Sequence, residues 1–529
     1  MGDQAGETGT DAARRDLHRG DAGLLGLARR GRRPGDLGAL RPDQLRQGPA
    51  GPARARQSRR RPRAVSECPG RRGALVKGAL ELAERAVAAA EGDGVEAVVQ
   101  AERSGFARFA GSEVHQPTLI ENVSLFLRVI RGNRVGTAAG NRVDDEGLRA
   151  LALRAGEAAD AAPEDPDLAT LAEASQLPEI EGNDDETAAL GPAEQAQLAA
   201  AAIEAAGDMP VYGFFTSGTA TVAVVTSAGF AGEQTSTDTM ALALAATDRV
   251  SGYAEQTAWA VRDMDPAAVA RQAVELAGRT SNADELAPGS YRAVLGPYAV
   301  GEILQYFAFD AFSGLALLEE RSYLGGKLGE RHFDEKVSIA DDALDPRGLP
   351  KQFDFEGVPK ERVPLVENGV LRGAVWDSVS AARAGDSQRS TGHAAPPALR
   401  RWGPLPFALS VAGGEAESVD ELIELVGDGI YITRVHYLGV IEPRHGILTG
   451  MTRDGTFRIR DGKIAEPLVN LRFTIAVPDM LTEVPGLTRE TTLANEAAFY
   501  DERFAYGALV PALATARFDV TGNGGPPGI

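Results

Sequence analysis

The period of apolar and polar positions changes along this chain, and the changes mark out its elements. From Leu75 to Val87 apolar side chains recur at helical spacing, so a helix begins there. Val95 to Gln100, Gly105 to Ala110 and Asn122 to Ile130 are rich in Val, Phe and Leu, and Val135 to Ala139 follows the turn at Arg131-Gly132-Asn133; together they predict three or four antiparallel strands. Asp144, Asp145 and Glu146 put negative charge where a helix N-terminus favours it, predicting a helix to about Ala159. Another helix is expected around Glu194 to Ala206. A meander of strands follows over Thr219 to Ser227, Thr237 to Thr247 and Tyr253 to Ala260, and then a helix opened by Asp265-Pro266 that stops at Gly278.

A third region starts with the strand Tyr291 to Leu295 and runs into Gly296 to Gly314, where a Gly-Pro pair opens a mostly apolar run and Ser-Gly closes it. That run predicts one buried helix of about five turns. Three polar residues interrupt it. Gln305, Tyr306 and Asp310 need partners or a cavity if they are buried. Beyond it, Val363 to Leu371 is a hairpin through Asn368-Gly369, and Phe457 to Ile464 a second through Asp461-Gly462. Residues 383–405, with Arg, Gly, Ser, Pro and His393 among them, are expected to form a mobile loop.

The fold class expected is α+β, multi-domain, with long mostly antiparallel strands, flanking helices and a β-rich C-terminal domain. The boundaries expected are a disordered Arg/Gly-rich extension over 1–74, an N-terminal α/β domain over 75–160, and a solvated acidic linker over 161–190. A middle β-rich domain over 191–285, a C-terminal domain over 286–520 and a disordered tail over 521–529 complete the division.

Charge adds an asymmetry to this picture. The net charge is −20, but residues 1–73 contain 17 Arg, no Lys and 8 acidic residues, leaving 38 basic against 67 acidic residues for the remainder. The first segment, which breaks off abruptly near Leu75, lacks the apolar content to offset its ordering entropy, and it reads as a disordered extension, translated from upstream of the true start. Its arginines Arg54, Arg56, Arg59, Arg60, Arg61 and Arg63 are the one nucleic-acid-like feature. The acidic body, with neither Lys nor Arg between Arg154 and Arg249, argues against nucleic acid and anionic membrane as partners. No apolar run approaches the roughly 18 residues of a membrane span, so the protein is expected in the cytoplasm. The single cysteine, Cys68, provides neither a disulfide framework nor a Cys-based zinc site.

Nucleotide-binding glycine loops and the serine-hydrolase elbow are missing from the sequence. Of the six histidines, His18, His115 and His393 read as solvated, and His332, beside Asp334 and Glu335, as a surface ion pair rather than a metal ligand. In the strand Tyr431 to Leu438 the period of two puts Arg434 and His436 on one face, which is either a polar sheet face in water or a carboxylate-binding pair for a peptide. No His-Glu-x-x-His is present and no helix carries two nearby histidines, so a zinc peptidase site cannot be assembled from local motifs.

Three stretches in fixed order resemble the TldD/PmbA (TldE) family. They are Ser104 to Ala110 with His115-Gln116 and Leu125 to Gly136; Phe353 to Leu371, including Glu356-Gly357-Val358-Pro359 and Val366-Glu367-Asn368-Gly369; and Gly450 to Phe457. The resemblance covers roughly Leu75 to Val520. It implies a cytosolic metallopeptidase of two related subunits enclosing a cavity for extended or unfolded peptides, for maturation or degradation. The TldD-type subunit carries His-Glu-x-x-x-His on a helix after a Val-Leu-Gly-Pro-like strand, present here as Val294-Leu295-Gly296-Pro297. Counting on, the first His falls on Gln305, the Glu on Tyr306 and the second His on Asp310. The resemblance therefore implies the metal-free PmbA/TldE-type subunit, with no catalytic residue and no metal of its own, and zinc on a TldD-like paralogous partner. The residue chemistry agrees: Gln is a poor ligand, Tyr cannot act as a carboxylate base, and Asp310 lies about 140° around the helix from Gln305. Two other readings stay open: an enzyme in its own right built from His436, His445, Asp310 or His332, and a regulatory binding protein using the basic segment, which the family's association with DNA gyrase suggests. A homodimer remains an alternative to the paralogous pair.

Overall fold

Two long hairpins and a strand meander build the first layer. The computed structural model describes residues 78–385, 387–495 and 502–528, so the Arg-rich segment lies outside the described residues. Helix α1 (Ala79–Ala88) precedes β1 (Gly94–Ala110) and β2 (Glu113–Arg131), which are joined by Gly111 and Ser112, both with positive φ, as a two-residue hairpin turn requires. The strands expected over Val95 to Gln100 and Gly105 to Ala110 are one continuous strand, bulged against its partner between Phe106 and Arg108. After β3 (Arg134–Gly140), the side chain of Asp144 caps α2 (Asp145–Ala161) through the amide of Gly147.

The short α3 (Asp185–Ala189) and α4 (Pro192–Ala206) lead into β4 (Val211–Thr226), β5 (Ala231–Ala246) and β6 (Ser251–Ala258), and α5 (Pro266–Gly278) follows, capped by Asp265. All six strands form one antiparallel sheet in the order β3-β2-β1-β4-β5-β6. The spans expected as separate N-terminal and middle domains thus share this sheet. Ala97, Val99, Leu125 and Leu127 pack on α1 and α2, and Ala241, Ala243 and Ala254 pack on α4 and α5. Gly136 and Gly252 let α2 and α5 lie directly on the strands, because a Cβ at either position would meet helix backbone within 2.3 Å.

The C-terminal half contains β7 (Gly289–Leu295), α6 (Pro297–Ala311), α7 (Gly314–Leu318), β8 (Ile339–Asp341), β9 (Val363–Glu367), β10 (Val370–Leu371), α8 (Ser378–Ala384) and β11 (Leu409–Val411). It continues through α9 (Val419–Val426), β12 (Gly429–Glu442), β13 (Ile447–Arg460), β14 (Lys463–Pro467), β15 (Leu471–Ala476) and α10 (Val477–Thr482). The chain then finishes with β16 (Gly486–Leu487), β17 (Thr492–Ala494), β18 (Ala508–Val510) and β19 (Leu513–Asn523). One sheet runs β10-β9-β8-β11-β18-β17. The other runs β12-β7-β19-β15-β13-β14, and because β13 also pairs with β12 it closes on itself, leaving no free edge around the ring. Both expected hairpins form, with Asn368, Gly369, Asp461 and Gly462 at positive φ.

Three expectations are corrected. The acidic stretch after α2 is not a free linker: Thr226 Oγ1 donates to the carbonyl of Ala172 (2.6 Å), the amide of Thr237 to that of Gly182 (3.0 Å), and Ala169 is buried. Its few apolar residues suffice to strap it across the sheet while its acids stay in water. The 383–405 segment is likewise packed, with Ala394, Ala395 and Leu405 buried. The tail expected to be disordered from 521 is ordered at its start, since β19 continues to Asn523 and the Gly524 amide donates to the Asn470 carbonyl (2.6 Å).

The second face of the first sheet is covered by the C-terminal half through Val98, Val222 and Val224 against Phe353 and Phe355. Buried charge completes this seam. The Arg503 guanidinium, fully buried, donates to both carboxylate oxygens of Asp238 (2.8 and 2.5 Å) and to Ser104 Oγ (2.7 Å). Arg400 donates to Glu96 (2.8 Å) and to the carbonyl of Phe355 (2.7 Å). Removing one partner of such a pair strands the other charge. Asp238→Ala is therefore expected to cost about 3–5 kcal/mol in denaturant unfolding, and a loss within about 0.5 kcal/mol, as at an ordinary surface site, would contradict the role given to this pair.

Candidate functional site

Helix α6 forms where the sequence predicts, with Pro297 at its first turn and the Gly296 amide bonded to the carbonyl of Ile432 (2.8 Å). It is shorter than expected, ending at Ala311, because Ser313 caps the separate helix α7. Its apolar face, Val300, Ile303, Leu304, Phe307 and Ala311, enters the main C-terminal core. The polar residues on it have different surroundings.

Gln305 is buried, and its Nε2 donates to the carbonyl of Pro406 (2.7 Å), while its Oε1 has no hydrogen-bond partner. Tyr306 is half-buried against the same core. Asp310 is ion-paired with Arg321, which also takes Glu319 (2.7 Å). Burial pushes the Asp310 carboxyl up from the ordinary range, with Arg321 opposing. Gln305 and Asp310 thus address different segments, the 403–407 stretch and the turn after α7. Such an arrangement does not fit a zinc ion: one neutral amide is committed to a carbonyl and one carboxylate to a guanidinium. Among the described residues, no three His, Cys, Asp or Glu side chains gather as a metal-holding group.

A second polar cluster sits on the face of α6 toward β6 and β12. Tyr298 donates from its hydroxyl to the Glu255 carbonyl (2.7 Å), and Tyr253 donates to the Glu255 carboxylate. Burial, reinforced by the Glu255 charge, pushes both phenols up, so they remain donors. Arg434 lies over the Tyr253 ring, 3.8 Å from its centre, and pairs with Asp454 at 3.5 Å. The Arg434 guanidinium is therefore already engaged on the face that the strand period assigned to it. Neighbouring His436 keeps an imidazole whose Nδ1 is buried without a hydrogen bond. Burial, then Arg434 and Arg453, push its pKa down to about 4, against the pull of Asp454, so it is neutral at physiological pH.

Sequence reasoning missed Tyr253, Glu255, Tyr298 and Asp454. Tyr298, Glu302 and Tyr306 do recur at a spacing of four, and Tyr253 and Glu255 at a spacing of two, which would have put them on shared faces. His393 is also corrected: it is fully buried, with Nε2 2.8 Å from Asp341 Oδ1 and Nδ1 2.8 Å from the Thr391 carbonyl. His332 is ion-paired with Glu330 (3.0 Å) as expected of a surface residue, and His445 lies exposed on a single turn after β12.

Comparison with known proteins places this fold. Residues 288–522 match the model of the PmbA/TldA metallopeptidase C-terminal domain, and residues 95–159 that of PmbA/TldA metallopeptidase domain 1. The chain belongs to the TldD/PmbA family. Among TldD/PmbA relatives it is 31% identical over 182 residues to a metalloprotease PmbA homologue of Haemophilus influenzae, covering 34% of this chain and 37% of that one. It is 29% identical over 189 residues to a zinc metalloprotease TldD homologue of Saccharolobus solfataricus, covering 35% and 40%. The matched stretch thus spans under half the length of either relative. The TldD/PmbA fold is also that of TldE from Thermococcus kodakarensis, with a TM-score of 0.74, 20% identity, and 84% of this chain and 99% of that one covered.

The depressed His436 has a sign. Its unfolded form, with the ordinary value of 6.5, binds a proton that the folded form refuses down to about 4, so its contribution to stability is present above pH 6.5 and is lost as pH falls toward 4. The stability advantage of the native chain over His436→Gln is expected to shrink across that window in denaturant melts. An unchanged difference from pH 7 to 4.5 would contradict the assignment.

Proposed function

We propose that this chain is the metal-free, peptide-holding subunit of a two-subunit peptidase of the TldD/PmbA type, acting in the cytoplasm on extended or unfolded peptides. The observation that carries the reading is the commitment of the residues on α6: at the positions of the family's His-Glu-x-x-x-His, Gln305 is bonded to Pro406 and Asp310 to Arg321. Tyr306 cannot replace the glutamate that activates a metal-bound water, because a phenol is not a base near neutral pH. No step of hydrolysis is therefore assigned to this chain. Its part is to hold an extended backbone in place for the partner.

The hydrolytic chemistry then belongs to a paralogue with the intact motif. A relative named as a zinc metalloprotease supports the existence of such a partner type. On this chain, Tyr437 (73% exposed), Val440 and Ile441 (55% exposed) make an apolar patch on β12, close in sequence to His436, that suits the covered rim of a subunit contact. Among the described residues no helix is long and apolar enough to cross a membrane.

The test is cleavage of an unfolded, fluorescently quenched peptide. The purified chain alone is expected to give no cleavage above background, and mixing it with a paralogue carrying His-Glu-x-x-x-His is expected to give metal-dependent cleavage. Cleavage by this chain alone, abolished by His436→Ala, would instead establish a self-standing enzyme.

A further inference from the structure

An open pocket of about 460 Å³ lies where β2, β3 and the strap at Asp165 to Ala169 meet α8 and the turn over Pro397–Trp402. Four guanidiniums line it. Arg128 and Arg400 are the inner pair, with side chains 7% and 20% exposed, and Arg383 and Arg401 are exposed at the rim. Val135, Leu168, Ala169 and Leu315 add an apolar wall.

The inner pair has more donors than acceptors to meet them. Arg400 stacks on the Phe126 ring and spends one nitrogen, Nη2, on Glu96 and the Phe355 carbonyl, while its Nε is buried without a hydrogen bond. Around Arg128, carboxylate oxygens of Glu356 and Glu96 stand 3.6 and 3.8 Å from Nη1, beyond hydrogen-bond length, and Nε is again buried without a partner. Glu96 and Glu356 offset the two positive charges, so the pocket is short of acceptors rather than of negative charge. Buried donors left in this way cost free energy that a well-placed acceptor recovers.

The carboxylates in the wall have the opposite character. Glu356 Oε2 accepts the Ser378 amide (2.9 Å), and Asp377 Oδ1 accepts the amide and hydroxyl of Ser380 (2.7 and 2.5 Å). Glu356 Oε1 and Asp377 Oδ2 take no hydrogen bond from a described residue. Burial pushes the Glu356 carboxyl up to about 7, Arg400 opposing and the charges of Asp354, Glu96 and Asp377 reinforcing. A doubly charged ligand would meet these acids at close range, whereas a single negative charge with a donor beside it meets both kinds of group.

We propose that this pocket binds the C-terminal residue of a peptide, with Arg128 and Arg400 on its carboxylate, Glu356 or Asp377 accepting its last amide N–H, and the apolar wall around its side chain. A guanidinium fork matches a carboxylate in shape as well as charge. The volume lies within the roughly 300–1,000 Å³ of small-molecule sites, which is ample for one acylated amino acid. The source of the ligand rests on the peptide-holding reading; the chemistry of the pocket does not.

Calorimetric titration of the purified full chain with N-acetylleucine and N-acetylleucinamide tests the pocket. A fluorescein-labelled unstructured peptide ending in leucine, as free acid and as amide, tests the source by anisotropy. Both acids are expected to bind saturably and both amides at least about tenfold more weakly. Arg128→Met is expected to weaken N-acetylleucine at least about tenfold, and Arg383→Glu, at the exposed rim, to weaken it severalfold while leaving the amide nearly unchanged. Equal affinity for acid and amide, no saturable binding of N-acetylleucine, or full binding by a folded Arg128→Met variant would each overturn the proposal. Binding of N-acetylleucine without binding of the peptide acid would overturn the peptide assignment in favour of a free small acid. If Arg128→Met does not fold, the acid and amide comparison on the native chain and Arg383→Glu still decide it. Failure of the peptide-holding reading shows separately, as no cleavage on mixing with the paralogue.

Discussion

Buried charge at one seam is the constraint on which the rest of this structure depends. The six-stranded sheet has one face covered by its own helices and the other by the C-terminal half, and that second face is polar as well as apolar. Arg503, brought from far along the chain, closes on Asp238 and Ser104, while Arg400 closes on Glu96 and leans over the Phe126 ring at 4.7 Å. Each of these charges is costly without its partner, so the two halves are held in one register rather than by apolar contact of variable alignment. Glu356, beside Arg128 at 3.6 Å and donated to by the Ser378 amide (2.9 Å), fixes α8 to the same seam.

That register decides what the polar residues of α6 can do. The helix lies between the closed ring of strands and the segments that reach the seam, and its polar side chains are satisfied by whatever the seam presents. Gln305 meets Pro406, beside Phe407, and Phe309 packs edge-on to that ring at 5.9 Å. Tyr298 meets Glu255 on the last strand of the first sheet. The helix thus spreads its polar contacts over several segments.

The local rules carried far in this chain, and their failures have physical causes. Asn368-Gly369 and Asp461-Gly462 announced their hairpins because only such residues accept the backbone these turns require, and Pro297 announced the start of α6. His393 was misplaced because its neighbours, Gly392, Thr391 and the prolines beyond, have loop composition. Its burial depends on Asp341, whose carboxyl is held low: burial raises it, but the His393 partner and the Ala408 amide outweigh that. Likewise, the straps after α2 and at the C-terminus consist of small and polar residues that pack through backbone hydrogen bonds to distant strands, which no local period encodes. On α6, the interrupting polar residues Gln305, Tyr306 and Asp310 were legible in the sequence, but the commitments to Pro406 and Arg321 required the fold.

Metal content tests the central claim most directly. The purified chain, incubated with excess zinc, desalted and measured by plasma mass spectrometry, is expected to retain far less than one zinc per chain, because Gln305 and Asp310 are held by other partners. One zinc per chain, lost when Asp310 is replaced by Asn or His436 by Ala, would contradict the account.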